Sequence, residues 1–138
     1  SQSEMSEDKL RNKDELFEKM CVLLGGRVAE EIFCENITTG ASDDIEKLTQ
    51  LAYLYVTRYG MDDSIGPFYF DRGRRDIYSE ALRKKVDTAV QKLINRAYKK
   101  TKEMLEEHRN LIEKFAKKLL EKETVNQVDI DIIFSGII

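Results

Sequence analysis

One stripe of apolar side chains constrains this chain more than any other feature. Leu82, Val86, Val90, Leu93, Ala97, Thr101 and Met104 or Leu105 recur at intervals of three and four residues. That is the period of one helix face, not the strict alternation of a half-buried strand. Ser79 stands just ahead as an N-cap, so the spacing predicts a helix over about 80–107. At 1.5 Å per residue such a helix is about 40 Å long. Lys84, Lys85, Lys92, Lys99, Lys100 and Lys102 supply most of its wet face. A helix with one apolar stripe must bury it against neighbours, and the rest of the chain offers further helices.

Leu16, Phe17, Met20, Leu23 and Leu24 form a second helical pattern, which Val28, Ala29, Ile32 and Phe33 resume after Gly25-Gly26. Each internal glycine costs about 1 kcal/mol relative to alanine. The pair fits a place where another backbone comes close, and one helix over about 14–33 is expected. Residues 35–41 read as a loop, punctuated by Thr38, Thr39 and Gly40. The next helix starts near Ser42, with Asp43 and Asp44 in its first turn, where exposed N–H groups favour acids. Ile45, Leu48, Ala52, Tyr55, Val56 and Tyr59 are its apolar face, and Gly60 suits a left-handed C-terminus.

Residues 61–78 read as loop, with a turn at Gly66-Pro67. Phe68-Tyr69-Phe70 is either a short edge strand near 67–70 or an aromatic plug; periodicity does not decide. Arg72, Arg74 and Arg75 surround Gly73 as a solvated basic loop, with a phosphate or partner contact as the alternative. From Arg109 a further helix turns Leu111, Ile112, Phe115, Ala116, Leu119 and Leu120 inward, and the sequence leaves open whether it breaks from the long helix near His108. A last short helix is capped by Asn126, with Asp129 three residues on and Ile130, Ile132, Ile133 and Phe134 as contacts. Residues 1–12 are polar and expected to be disordered. The fold class is all-α, a bundle of four to five helices, without an internal repeat.

Composition narrows function by exclusion. Apolar residues make up 41% and charged residues 36% of the 138, and no run approaches the ~20 apolar residues of a membrane span. A net charge of −3, from 23 basic and 26 acidic residues, gives no general reason to bind nucleic acid. Cys21 and Cys34 are no disulfide framework and read as two buried thiols on one helix, as in a reducing compartment. Ser1 to Arg11 has no apolar targeting segment and reads as a boundary inside a longer protein.

Few residues can carry chemistry. His108 is the one histidine, set among Glu106, Glu107 and Arg109 as a surface residue at a helix end. The sequence contains no HExxH, no CxxC and no Walker-type phosphate loop. Glu30 and Glu31 follow Gly-Gly-Arg on the first helix, and Asp43 and Asp44 open the second. A carboxylate there is held by a rigid element and can face a cation. On spacing alone, capping and dipole stabilisation explain both aspartates.

These same stretches resemble a known family. Leu16 to Phe33, reading LFEKMCVLLGGRVAEEIF, resembles the LGGRxAEE segment of FtsH-type ATP-dependent zinc metalloproteases. Ile37 to Ile45, reading ITTGASDDI, is similar to the family's TTGAxxDI segment. Tyr59-Gly60-Met61 with Ile65-Gly66-Pro67 resembles its GM…LGP stretch. Tyr78-Ser79-Glu80 and Leu119 to Thr124 resemble its YSE and LLEKET stretches. The likeness runs from about Ser6 to Ile133. Met20-Cys21 before Leu-Leu-Gly-Gly and the paired Asp43-Asp44 are most similar to the mitochondrial m-AAA branch.

The resemblance implies a membrane-anchored hexamer in which an AAA+ ring, using ATP and Mg, unfolds protein substrates and feeds a peptidase ring. It implies zinc held by two histidines of an HExxH helix and one aspartate, which falls on Asp44. Three protein ligands leave a position for water, whose pKa zinc lowers, with the motif glutamate as general base. Glu30 matches the first glutamate of GGRxAEE and is expected to orient a histidine ligand. The HExxH helix, the ATPase and the membrane segments are expected upstream of Ser1. Residues 13–138 are then the C-terminal helical part of a peptidase domain, with no catalytic base and inactive by itself. The parent is expected to degrade misfolded or unassembled membrane proteins at the mitochondrial inner membrane, with plastid and bacterial plasma membranes as alternatives. A helical oligomerisation module without a catalytic role is the competing reading. No nucleic-acid partner is expected.

Overall fold

The computed structural model describes residues 10–34 and 36–120. The expected last helix from Asn126 lies outside the described residues, as do residues 1–9 and the side chains of Phe115, Ala116, Leu119 and Leu120. Among the described residues four α-helices carry the fold: α1 (Lys13–Phe33), α2 (Ser42–Tyr53), α3 (Glu80–Glu107) and α4 (Arg109–Leu120). No strand occurs among the described residues.

The predicted stripe on α3 is the spine of the core. Val86, Val90, Leu93, Ala97, Thr101 and Leu105 are buried along it, and Ala89 joins them. Ser79 caps the helix by accepting the Leu82 N–H at 3.1 Å. α1 lies chiefly against α3 and secondarily against α2. Its start is capped by the Asn12 side-chain oxygen, which accepts the Glu15 N–H at 2.8 Å. Leu16, Met20, Cys21, Leu24 and Val28 fill the space between, and Gly25 and Gly26 are both buried within an unbroken helix. α1 and α3 meet closely where their side chains are small. Cys21 Sγ lies 3.8 Å from Ala97 O. The Thr101 hydroxyl donates to Ala97 O at 2.7 Å and leans towards Cys21 O at 3.4 Å. Each Val or Leu buried here contributes about 1.5–3 kcal/mol.

Cys34 departs from the expectation of two buried thiols. It is the residue after α1, in an extended conformation, and is exposed. The helix ends before the pattern could carry it inward.

α2 continues into a single wider turn, a π-helix over Leu54–Arg58, in which the Tyr59 N–H bonds Leu54 O at 2.9 Å. The extra residue in this turn shifts the helical phase. Tyr55, Val56 and Thr57 are therefore all buried in succession, while Tyr59, expected on the apolar face, is 48% exposed. The turn also presents Thr57 O to the loop, where it accepts the Phe70 N–H at 2.8 Å. That bond, with Phe70 buried at 1% exposure, settles residues 68–70 as an aromatic plug. Phe70 stacks on Tyr78 with ring centroids 4.3 Å apart. A single ring driven inward satisfies the core without a partner strand.

α3 and α4 are separate helices. His108 leaves helical geometry at φ −103°, ψ 17°, and its Nδ1 lies 2.9 Å from Met104 O. The break resets the phase of α4: Ile112 is buried, whereas Leu111, expected inside, is 47% exposed. No described helix is long and apolar enough to cross a membrane.

Candidate metal-ligand site

The site is built at the end of α1 and the start of α2. Glu30, one turn before the end of α1, is buried at 7% exposure. A buried carboxylate is tolerated only when its oxygens are hydrogen-bonded. Both are bonded to one residue: Oε1 accepts the Thr38 hydroxyl at 2.5 Å, and Oε2 accepts the Thr38 backbone N–H at 3.3 Å. Thr38 in turn accepts the Gly40 N–H on its own hydroxyl oxygen at 3.1 Å. That bond caps a short 3-10 turn, Thr39–Ala41, which runs straight into α2: the Ser42 N–H returns to Thr39 O. No side chain caps α2 at Ala41 itself, so the capping work lies upstream at Thr38.

Asp43 and Asp44 stand in the first turn of α2, as the sequence predicts. Asp43 is exposed, and Asp44 is half-buried. Both sit at the positive end of the helix. Glu31 faces elsewhere, towards α3, where it accepts the Tyr98 hydroxyl at 2.5 Å and pairs with Arg27 at 3.4 Å.

The donors present fit zinc as a source of one ligand. Among the described residues no group of three or more His, Cys, Asp or Glu side chains converges as a metal site. His108 is placed at the junction of α3 and α4. A helix-start aspartate can give zinc one oxygen ligand, and a zinc site takes three or four protein donors, which the described residues do not bring together.

The basic loop has a structural use. Arg75 forms a two-pronged pair with Asp87, Nη1 to Oδ1 at 3.3 Å and Nη2 to Oδ2 at 2.9 Å. Tyr53 donates its hydroxyl to the same Oδ1 at 3.1 Å. Arg72 lies 4.4 Å over the Tyr53 ring. Arg83 holds Tyr78 O at 2.6 Å. Two of the three clustered arginines thus pin the 61–78 loop to α2 and α3. Thr38, which the sequence marks only as loop punctuation, is bonded to Glu30 at two points. Its signal was a hydroxyl two residues before a glycine N–H, an ordinary side-chain turn pattern.

The fold and the donor together define an all-α module presenting a carboxylate at a helix start. The chain belongs to peptidase family M41, whose model matches residues 3–133. It is 43% identical over 129 residues to the mitochondrial inner membrane m-AAA protease component AFG3L2 of Mus musculus, covering 89% of this chain and 16% of that protein. It is 38% identical over 130 residues to the m-AAA protease component yta12 of Schizosaccharomyces pombe, covering 90% and 17%. It is 37% identical over 136 residues to the ATP-dependent zinc metalloprotease FtsH 1 of a Thermoanaerobacter species, covering 91% and 22%. The chain therefore spans between 16% and 22% of the length of these relatives.

Proposed function

We propose that residues 13–138 are the C-terminal helical part of the peptidase domain of an ATP-dependent zinc metalloprotease. Asp44 is the third zinc ligand, and two histidines with a general-base glutamate come from a segment outside this chain. The observation that carries this reading is the family match across residues 3–133 together with Asp44 in the first turn of α2. Bound zinc would supply Lewis acidity and a water of lowered pKa. The chain's own part is to hold one carboxylate at a rigid helix start, with Glu30, buried near the end of α1 and bonded to Thr38, as a supporting carboxylate. Taken by itself, the chain is inactive.

The relatives' names support a place at the mitochondrial inner membrane and assembly with like subunits. We extend this to a homo- or hetero-hexamer whose ATPase ring, with Mg and ATP, delivers misfolded or unassembled membrane proteins. Exposed Phe68, Tyr69 and Ile77 offer apolar surface for contact between subunits.

The test is zinc content in the full-length polypeptide, measured beside casein proteolysis for Asp44→Asn and Asp43→Asn. Zinc and proteolysis lost with Asp44→Asn and kept with the exposed Asp43→Asn is the expected result. Zinc and activity kept in Asp44→Asn would reduce that aspartate to a helix-start charge.

A further inference from the structure

We infer that Thr38, gripped by Glu30, is the positioning residue that sets Asp44 as a metal ligand. The inference rests on the reading of Asp44 as third ligand. Its basis is a continuous chain of contacts. Glu30 is fixed on α1 and buried, so its carboxylate is a rigid reference point. It holds Thr38 at two points, the hydroxyl and the backbone N–H. Two points fix the orientation of a residue where one would leave it free to swivel.

The Thr38 hydroxyl both donates and accepts. It donates to Glu30 and accepts from the Gly40 N–H. A hydroxyl donating to a carboxylate becomes a better acceptor, because hydrogen bonds in series polarise one another. The grip on Glu30 thus strengthens the cap on the 3-10 turn. The 3-10 turn over Thr39–Ala41 runs into α2 at Ser42 with no residue between, and Ala41, at φ −94° and ψ 8°, is buried at 1% exposure at the joint. Any rotation at Thr38 is therefore carried to Asp44.

Stability alone does not call for a buried carboxylate here. An apolar residue of similar volume often serves a core as well as or better than a buried charge. A charge held at two points instead fixes geometry, which is what a metal ligand needs. Residues that orient ligands from behind typically change metal affinity or activity about 10–100-fold when removed.

The experiment uses the full-length polypeptide carrying Thr38→Val, Thr38→Ser, Glu30→Gln or Asp44→Asn. Four quantities are measured: zinc retained against a competing chelator, amide exchange over residues 38–44 in the zinc-stripped protein, kcat and KM on casein, and ATP hydrolysis. Thr38→Val should weaken zinc retention about tenfold or more. It should also speed exchange over 38–44 and lower kcat, with KM and ATP hydrolysis unchanged. Thr38→Ser, which restores the hydroxyl, should return all of these to the parent's values. Parent-like zinc and exchange in Thr38→Val, while Asp44→Asn loses zinc, overturns the inference and leaves the reading of Asp44 intact. Equal damage from Thr38→Ser also overturns it, since the hydroxyl would not be the active group. So does damage in Glu30→Gln with Thr38→Val normal, since Glu30 would then act on another ligand directly. Zinc kept in Asp44→Asn removes the underlying reading itself. If Thr38→Val loses ATP hydrolysis and so does not fold, Glu30→Gln takes its place. Its side chain keeps one acceptor oxygen where the carboxylate has two, so it cannot accept from both the Thr38 hydroxyl and the Thr38 N–H; faster exchange and weaker zinc retention support the inference, and parent values in both overturn it.

Discussion

A Cβ placed on Gly60 would stand 2.9 Å from the Cα of Pro67. Gly60 also has φ +59°, the left-handed geometry that closes the π turn before the loop reverses. The obstacle is backbone on both sides, so neither partner can rotate away. Gly60→Ala should therefore cost about 2 kcal/mol or more, from the strained dihedral and the displaced turn together. Gly66 provides the comparison: its φ is +78°, but a Cβ there meets nothing within 4 Å. Gly66→Ala should cost only about 1 kcal/mol, the strain of the dihedral. Denaturant unfolding of both variants measures the difference, and equal losses would show that the Pro67 contact has no weight.

Asp87 holds the loop from α3, accepting from both Arg75 and Tyr53. The ion pair is partly exposed, at 39% and 41%, and solvent weakens it. Asp87→Ala should reduce global stability by only about 1 kcal/mol. Its local effect should be larger, because three bonds leave one anchor. Trypsin should cut after Arg72, Arg74 or Arg75 several times faster in Asp87→Ala than in the parent. An unchanged cutting rate would mean that Phe70, bonded to Thr57 and stacked on Tyr78, fixes the loop unaided.

Periodicity was enough to place α1, α2 and α3 in the sequence, because each buries one face over several turns. The residues it misplaced lie where the helical period changes or stops. Tyr59 and Leu111 follow a change of helical phase, the π turn at 54–58 and the break at His108, and a fixed period of 3.6 carries no sign of either. Cys34 lies one residue past a helix end, where the period no longer applies. For the site, Asp44 was legible as a helix-start acid and as part of the TTGASDDI segment. The Glu30–Thr38 contact was not, since it joins residues eight apart through a turn whose path only tertiary structure sets. The aromatic plug was one of two readings for 68–70, and the Thr57 carbonyl in the last turn of the helix decides it by accepting the Phe70 N–H.

The two cysteines should differ sharply in reactivity. Cys21 is 3% exposed, and burial pushes its thiol above the ordinary value. The thiolate is the nucleophile, so burial lowers both access and reactive fraction. Cys34 is exposed at the end of α1. Alkylation of the native protein with iodoacetamide should place an adduct on Cys34 and leave Cys21 unmodified until unfolding. Rapid modification of Cys21 under native conditions would show that α1 and α3 separate far more readily than their packing implies.

The bundle should lose stability in alkali through its tyrosines. Tyr53, Tyr55 and Tyr98 all hold their protons above the ordinary tyrosine value of 10.0. Burial is the main cause at Tyr53 and Tyr55. At Tyr98 the hydrogen bond to Glu31 comes first, because a phenolate there would face a carboxylate. A folded-state pKa raised above the unfolded one means that, near and above pH 10, the unfolded chain releases protons the native chain retains. The stabilisation is therefore complete below about pH 10 and falls as pH rises through the folded-state values. Phenolate absorbance followed through an alkaline titration should show these groups ionising late and together with unfolding. Tyr98→Phe removes a proton from this balance at a half-buried site, so its alkaline loss should be shallower than the parent's. A loss of the same steepness in the variant would show that the Tyr98–Glu31 contact does not couple to folding.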